Sequence, residues 1–331
     1  MAVPTTKEGW REFCAYQSTP LSERPSLTRD EIDMLSTVDR DRYNDRRRDY
    51  INEERVFPTR DVELILTNAL RLWRRGRCKS YIARPGLRVS GESRVGKSTG
   101  VMAAGKHLEG VIRRADSREG DMGFLPILYI NIATVTTPNK LWSRFAEFAG
   151  ARELRGRNAD ERLLDLARLL RDLGTKFVIL DEAQCLDTDR SAGAEVADNI
   201  KSFAESIDAT MIFAGVELEM CPLFSGAQGL QWRRRTRPIN LSNYRIANES
   251  DYHEWIRLVA AFEQILPLTR HEKGFLERNA DYLFHRTGGS IAYLHDLICD
   301  AAIEAIDTGE EAVTLAILDS CALYDHPTVD S

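Results

Sequence analysis

Residues Gly91-Glu92-Ser93-Arg94-Val95-Gly96-Lys97-Ser98 match the G-x-x-x-x-G-K-[ST] pattern in full, and Thr99 follows them. That pattern describes a loop built to hold phosphates. Its glycines let the backbone turn tightly, so that successive N–H groups from Gly91 to Thr99 face the α and β phosphates of a nucleotide. The loop then enters a helix N-terminus, whose dipole favours anions. Lys97 supplies a point charge to the β and γ phosphates, and Ser98 offers its hydroxyl to a bridging Mg²⁺. Gly91 through Thr99 are therefore the candidate nucleotide-binding residues.

On either side of the loop, Tyr81-Ile82-Ala83 and Leu87-Arg88-Val89 are short and β-compatible, and 99–108 carries Ala, Met and Leu at helical spacing. Strand, loop and helix thus stand in the required order. Further on, Leu163, Leu166, Leu170 and Leu173 share one helical face, with Gly174 as a stop signal. Then comes Lys176-Phe177-Val178-Ile179-Leu180-Asp181-Glu182. Four apolar residues ending in two carboxylates describe a buried parallel strand whose C-terminal end reaches the crevice where such sheets hold ligands. Asp181 is placed to hold Mg²⁺ through a water. Glu182 is placed to polarise the water that attacks the γ phosphate. An Asp-Glu pair alone also suits a helix cap, but its position downstream of a phosphate loop favours the chemical role.

At 331 residues the chain is long enough for an α/β core and one smaller domain. The net charge of −6 argues against a globally basic nucleic-acid coat. A local stripe can still face phosphates, and Arg46-Arg47-Arg48, Arg74-Arg75-Gly76-Arg77-Cys78-Lys79 and Arg233-Arg234-Arg235 are the basic clusters. Cys14, Cys78, Cys185, Cys221, Cys299 and Cys321 form no C-x-x-C pair and no metal spacing, which reads as reduced thiols. With no membrane-length apolar run and no leader pattern, a cytoplasmic location without membrane attachment is expected.

Residues 1–50, rich in charge and turn formers, read as an extension. Thr59 caps a helix on which Val62, Ile65, Leu66, Ala69, Leu70 and Trp73 share a face. Strands are expected at 124–132, 176–182, 209–215 and 237–241 besides the one before the loop. Helical segments separate them, so the core at 51–245 is an α/β sandwich around a five-stranded parallel sheet. From 246 to 331 the pattern is helical only, with segments at 252–266, 272–286, 291–306 and 314–323.

A phosphate loop, an Asp-Glu strand end and a following helical lid resemble the AAA+ ATPases, and among them the transposon-encoded target-selection ATPases of the TniB/TnsC type. The resemblance rests on GESRVGKST, on VILDEAQCL at 178–186, on FAGVELE at 213–219 and on TGGSIAYLHDLI at 287–298, and covers roughly 50–325. It implies ATP and Mg²⁺ as ligands, assembly into rings or helical filaments on duplex DNA through the phosphate backbone, and slow hydrolysis that drives disassembly. It further implies recruitment of a partner transposase and a target-site selector protein. Gly91, Gly96, Lys97, Ser98, Asp181 and Glu182 match the family's pattern position by position. Gln184 either senses the γ phosphate or caps a helix. The family's polar sensor after the fourth strand has no counterpart in Ala214-Gly215-Val216, which leaves Glu217 as the nearest candidate, and Ser290 stands where many relatives carry a lid arginine.

An arginine finger from a neighbouring subunit is expected among Arg233, Arg234 and Arg235, whose alternative is a solvated basic turn. The pore-lining segment of the family corresponds to Thr134–Lys140. There Thr136, Thr137, Asn139 and Lys140 are candidate phosphate contacts, and Thr137 with Pro138 equally reads as a helix cap. A helicase-loader or clamp-loader-like ATPase is the neighbouring alternative. A nucleotide-switched signalling or defence ATPase is disfavoured for want of an evident effector or repeat sensor domain.

Overall fold

In the computed structural model, which describes residues 4–77, 84–133, 137–185, 191–221 and 223–323, helices and strands alternate through the middle of the chain. In chain order the elements are α1 (Lys7–Ala15), α2 (Arg29–Asp33), α3 (Thr37–Ile51), α4 (Arg60–Gly76), β1 (Gly86–Gly91), α5 (Lys97–Ala115), β2 (Ile127–Asn131), α6 (Pro138–Phe148) and α7 (Ala159–Asp172). There follow β3 (Phe177–Asp181), α8 (Ser191–Ser206), β4 (Thr210–Gly215), α9 (Gly226–Arg235) and β5 (Thr236–Leu241). Then come α10 (Glu249–Gln264), α11 (Phe275–Arg278), α12 (Ala280–Thr287), α13 (Ile291–Asp307) and α14 (Leu315–Ser320). The strand expectation at Tyr81-Ile82-Ala83 lies outside the described residues. Two compact units result, one made of the chain up to Tyr16 with Pro58–Leu241, the other of Gln17–Phe57 with the chain from Ser242 onward.

The first unit holds the sheet. All five strands are parallel, in the order β2-β3-β4-β1-β5. β3 and β4 are buried at every residue, which is why they read as unbroken apolar runs; such strands need helices over both faces. The register sets Asn131 beside Asp181, Ser90 beside Gly215 and Gly91 beside Leu241. Parallel pairing in that register brings the ends of β1, β2, β3 and β4 to one edge, and the chain's functional loops leave from there. α4 begins at Thr59, whose hydroxyl accepts the Val62 N–H at 3.3 Å, and it packs along α5.

Residues 1–50 do not form the separate extension expected of them. α1 belongs to the first unit because Trp10 is fully buried there with Phe13. The segment from Gln17 belongs to the second unit because α3 is bound to it by charge as well as by Tyr50 and Ile51. Arg47, 1% exposed, meets Glu311 in a bidentate pair at 2.6 and 2.9 Å, and Arg48 pairs with Asp307 at 2.5 Å. The dense charge that reads as solvated extension is thus partly pairing chemistry.

In that second unit α10, α12 and α13 pack around Trp255, Phe262, Leu283, Leu294 and Leu297. The helix expected over 272–286 is broken at Asn279, where the backbone leaves helical geometry and separates α11 from α12. Buried Glu263 accepts the N–H groups of Gly274 (2.8 Å) and Leu276 (2.9 Å), ordering the turn into α11. The five described cysteines are free, and burial pushes the thiols of Cys221 and Cys299 up to about 11 and about 12. No helix among the described residues is long and apolar enough to cross a membrane.

Candidate nucleotide site

β1 delivers the loop to the sheet edge. Gly91 lies so close to β5 that a Cβ would sit 2.5 Å from the Leu241 carbonyl oxygen. Glu92, Ser93 and Arg94 are exposed, Val95 is a buried plug in the core, and Gly96 caps α5 in the left-handed conformation at φ 88°. Arg94 is left-handed too, at φ 64°. Left-handed residues on either side of Val95 suit the kind of backbone turn in which successive N–H groups can face an anion. Lys97 opens α5, is 8% exposed, and donates from Nζ to the Glu92 carbonyl. Burial lowers its pKa below that of an ordinary lysine, while the negative charges of Glu182, Asp181 and Glu92 oppose that shift. Ser98 and Thr99 lie in the first turn of α5.

Asp181 closes β3 and is 1% exposed. Its Oδ1 accepts the Glu182 N–H at 2.9 Å and its Oδ2 accepts the Tyr129 hydroxyl at 2.7 Å. Burial and the adjacent Asp181 raise the Tyr129 pKa well above that of a free phenol, so the hydroxyl stays a donor. Glu182, half-buried, holds a left-handed backbone at φ 58°. Gln184 follows in a 3-10 turn at Ala183–Cys185 and resolves its two readings toward neither. Its Nε2 donates to Glu182 Oε2 at 2.5 Å, and its Oε1 accepts the Val216 N–H at 2.9 Å. A polar group therefore does stand at the end of β4, supplied from the β3 turn. Gly215 makes room for it, since a Cβ there would fall 2.3 Å from Gln184 Oε1. Glu217, the sequence candidate, is exposed at φ 43°.

The segment after β4 is pinned to β1 by Arg88 and Ser90, which no motif announces. Buried Arg88 reaches Glu219 at 3.1 Å and Thr236 at 3.3 Å. The Ser90 hydroxyl donates to Glu219 at 3.2 Å and accepts the Leu218 N–H at 3.1 Å. A charged residue inside an otherwise apolar strand was the available signal.

Arg233, Arg234 and Arg235 are exposed in the last turn of α9, so the basic turn is a helix end, where cations complement the dipole. Arg235 pairs with Glu205 at 2.8 Å, whereas Arg233 and Arg234 make no ion pair among the described residues. The structure does not bring them to the phosphate loop of the same chain by any contact it records. Thr136 lies outside the described residues. Thr137 caps α6, accepting the Lys140 N–H at 3.3 Å with Pro138 in the first turn, so the cap reading holds. Asn139 accepts from Arg162 at 3.3 Å, and both it and Lys140 are exposed. Of the other clusters, Arg47 and Arg48 are engaged by Glu311 and Asp307, and Arg77 lies over Trp73. Cys78 and Lys79 lie outside the described residues.

Whether Mg²⁺ fits can be judged from the donors. Ser98 and Asp181 offer two hard oxygens, and the described residues hold no cluster of three or more metal-binding side chains. Such a sparse set suits Mg²⁺, which keeps waters and takes its remaining ligands from substrate phosphates rather than from a protein cage.

A parallel five-stranded sheet in this order, with a phosphate loop after β1, an Asp-Glu end on β3 and a helical region beyond β5, is that of an AAA+ P-loop ATPase. The family model of the bacterial TniB protein matches residues 47–245, more than half of the chain. The chain belongs to that family, a family of transposon-encoded AAA+ ATPases. No curated protein matches it. Among solved structures it is similar to the Aeropyrum pernix ORC2 protein in its ADPNP–ADP complexes, with 17% identity, a TM-score of 0.61, and coverage of 82% of this chain and 70% of that one. The A. pernix ORC1 protein in complex with DNA is similar at 18% identity and TM-score 0.56, covering 82% and 66%. Cdc6p from Pyrobaculum aerophilum follows at 16% and 0.51, covering 80% and 68%. At these identities the likeness concerns the fold.

Proposed function

We propose that the protein is a Mg²⁺-dependent ATPase that assembles on duplex target DNA and recruits or activates a partner transposase, with hydrolysis driving disassembly. The observation that carries this reading is the joining, in a TniB-family chain, of a complete phosphate loop to the Asp181-Glu182 strand end, with Arg233 and Arg234 exposed on α9 beside the Glu205-paired Arg235.

In this reading the N–H groups of Gly91 to Thr99 and the Lys97 ammonium hold the phosphates, and Ser98 with Asp181 holds Mg²⁺. The ion, when bound, neutralises charge that builds on the β and γ phosphates. Glu182 orients the attacking water, and Gln184 sets where Glu182 points. Arg233 or Arg234 of a neighbouring copy completes the site, so turnover follows assembly. The exposed N-terminus of α6, with Thr137, Asn139 and Lys140, is suited to DNA phosphates and reads no bases.

Negative-stain imaging with a slowly hydrolysed ATP analogue, with and without duplex DNA, tests the proposal. Rings or filaments are expected only when nucleotide and DNA are both present, and a persistent monomer under all conditions removes the assembly reading. A target-site selector protein is the expected further partner. Affinity for DNA is expected to fall steeply with salt, as phosphate contacts require.

A further inference from the structure

Trp10 comes from an N-terminal helix with no nucleotide motif, yet it reaches the centre of the first unit. Its indole stacks on Tyr129 with ring centroids 5.9 Å apart and planes 9° from parallel. Its Nε1 donates to Glu109 on α5 at 3.3 Å, and Glu109 is in turn held by Arg113 at 2.7 Å. The ring enters α5 at a notch: a Cβ on Gly105 would lie 2.9 Å from Trp10 Cη2. Tyr129, its ring lying near-parallel to that indole in an offset stack, donates its hydroxyl to Asp181 Oδ2 at 2.7 Å. Asp181 Oδ1 is already tied to the main-chain N–H of Glu182. Both oxygens of the carboxylate are therefore located, one by its own backbone and one by a side chain whose ring is set by α1.

We propose that Tyr129 is a positioning residue for the metal-holding carboxylate Asp181, and that α1 sets this position through the stack of Trp10 on Tyr129. The helix acts as a brace with two attachments, Glu109 on the helix that follows the phosphate loop and Tyr129 beside the metal carboxylate. Hydrogen bonds to a ligating carboxylate orient its lone pairs, and loss of such a partner costs 10–100-fold in metal affinity in general. The inference rests on reading Asp181 as the Mg²⁺-holding residue.

The test uses the full chain, Mn²⁺ as the probe, and a non-hydrolysable ATP analogue. Tyr129→Phe keeps the ring and its stack and deletes the hydroxyl. Electron paramagnetic resonance titration should show Mn²⁺ affinity for the protein–nucleotide complex reduced roughly tenfold, while nucleotide affinity measured in EDTA stays near that of the parent. Trp10→Leu should shift Mn²⁺ affinity in the same direction and Trp10→Phe should restore most of it. Should Trp10→Leu fail to fold, Tyr129→Phe alone decides. Asp181→Asn is measured beside them. Weakened Mn²⁺ binding in Asp181→Asn with parental binding in Tyr129→Phe overturns this inference and leaves the site reading intact. Parental Mn²⁺ binding in Asp181→Asn overturns the metal role of Asp181 and the inference with it.

Discussion

Gln184 holds the carboxylate of Glu182 by a 2.5 Å hydrogen bond, and its other amide atom accepts the Val216 N–H at 2.9 Å. One side chain thereby links the ends of β3 and β4. Glu182 sits in a left-handed backbone, a conformation that costs about 1–3 kcal/mol and persists where the surroundings over-determine it. Gln184→Ala should leave nucleotide affinity near the parent value and lower kcat about tenfold or more, since a misplaced general base loses most of its 10²–10⁴-fold contribution. Gly215→Ala should act the same way by displacing the amide. Steady-state ATPase assays with separate kcat and KM check this; unchanged kcat in both variants removes Gln184 from the site.

Lys97 provides a pH signature. Burial lowers its pKa from the ordinary 10.5, so in alkaline solution below that value the folded chain carries less charge there than the unfolded chain. Its contribution therefore opposes folding while the amine is charged and is relieved as pH rises through the lowered value. Phosphates reverse the shift. Nucleotide binding should accordingly take up protons between the lowered value and 10.5, and affinity should fall as pH rises through that window. Calorimetry in two buffers of different ionisation enthalpy measures the uptake, which Lys97→Met should abolish.

The three arginines of α9 differ in what already holds them. Arg235 has Glu205, so Arg235→Ala should change assembly-stimulated turnover least. Arg233→Ala or Arg234→Ala should lower it by about 10³-fold or more if that residue is the one supplied in trans. Mixing either variant with an excess of Glu182→Gln subunits should rescue neither partner's deficit unless the arginine and the glutamate act across one interface. Equal, small effects of all three substitutions would remove the finger.

The Arg47–Glu311 pair, buried on both sides, should bear on folding and leave DNA binding unchanged. Arg47→Met should destabilise the chain by about 3–5 kcal/mol because a buried carboxylate is left uncompensated, while the double variant Arg47→Met/Glu311→Leu should recover most of the loss. Urea unfolding followed by circular dichroism distinguishes the two. DNA affinity should be unaffected by the double variant.

Much of this site is local and so was legible in the chain. The phosphate loop, the apolar run into Asp181-Glu182, the Thr59 and Thr137 caps and the helix stop at Gly174 each depend on neighbours within a few residues. Periodicity and turn chemistry operate at that range. The contact of Gln184 with Val216 was not legible, because the polar group at the end of β4 arrives from a different strand's turn. The Asp-Glu motif pointed to two carboxylates but carried no sign of Tyr129, which lies 52 positions from Asp181.

What the amino-acid sequence determined by itself was the alternation of strands and helices through the core and the motifs that mark the AAA+ class, since each is written in short-range pattern. Tertiary structure alone decided which partners those residues have. Trp10 meets Glu109 across 99 positions, Arg47 meets Glu311 across 264, and strand order places β4 between β1 and β3. Such pairings arise from burying apolar faces together and from desolvated charges finding each other, and neither leaves a periodic trace in the chain. The charge-dense N-terminal region shows the difference most directly: by composition it is an extension, and by packing it divides between the two units of the fold.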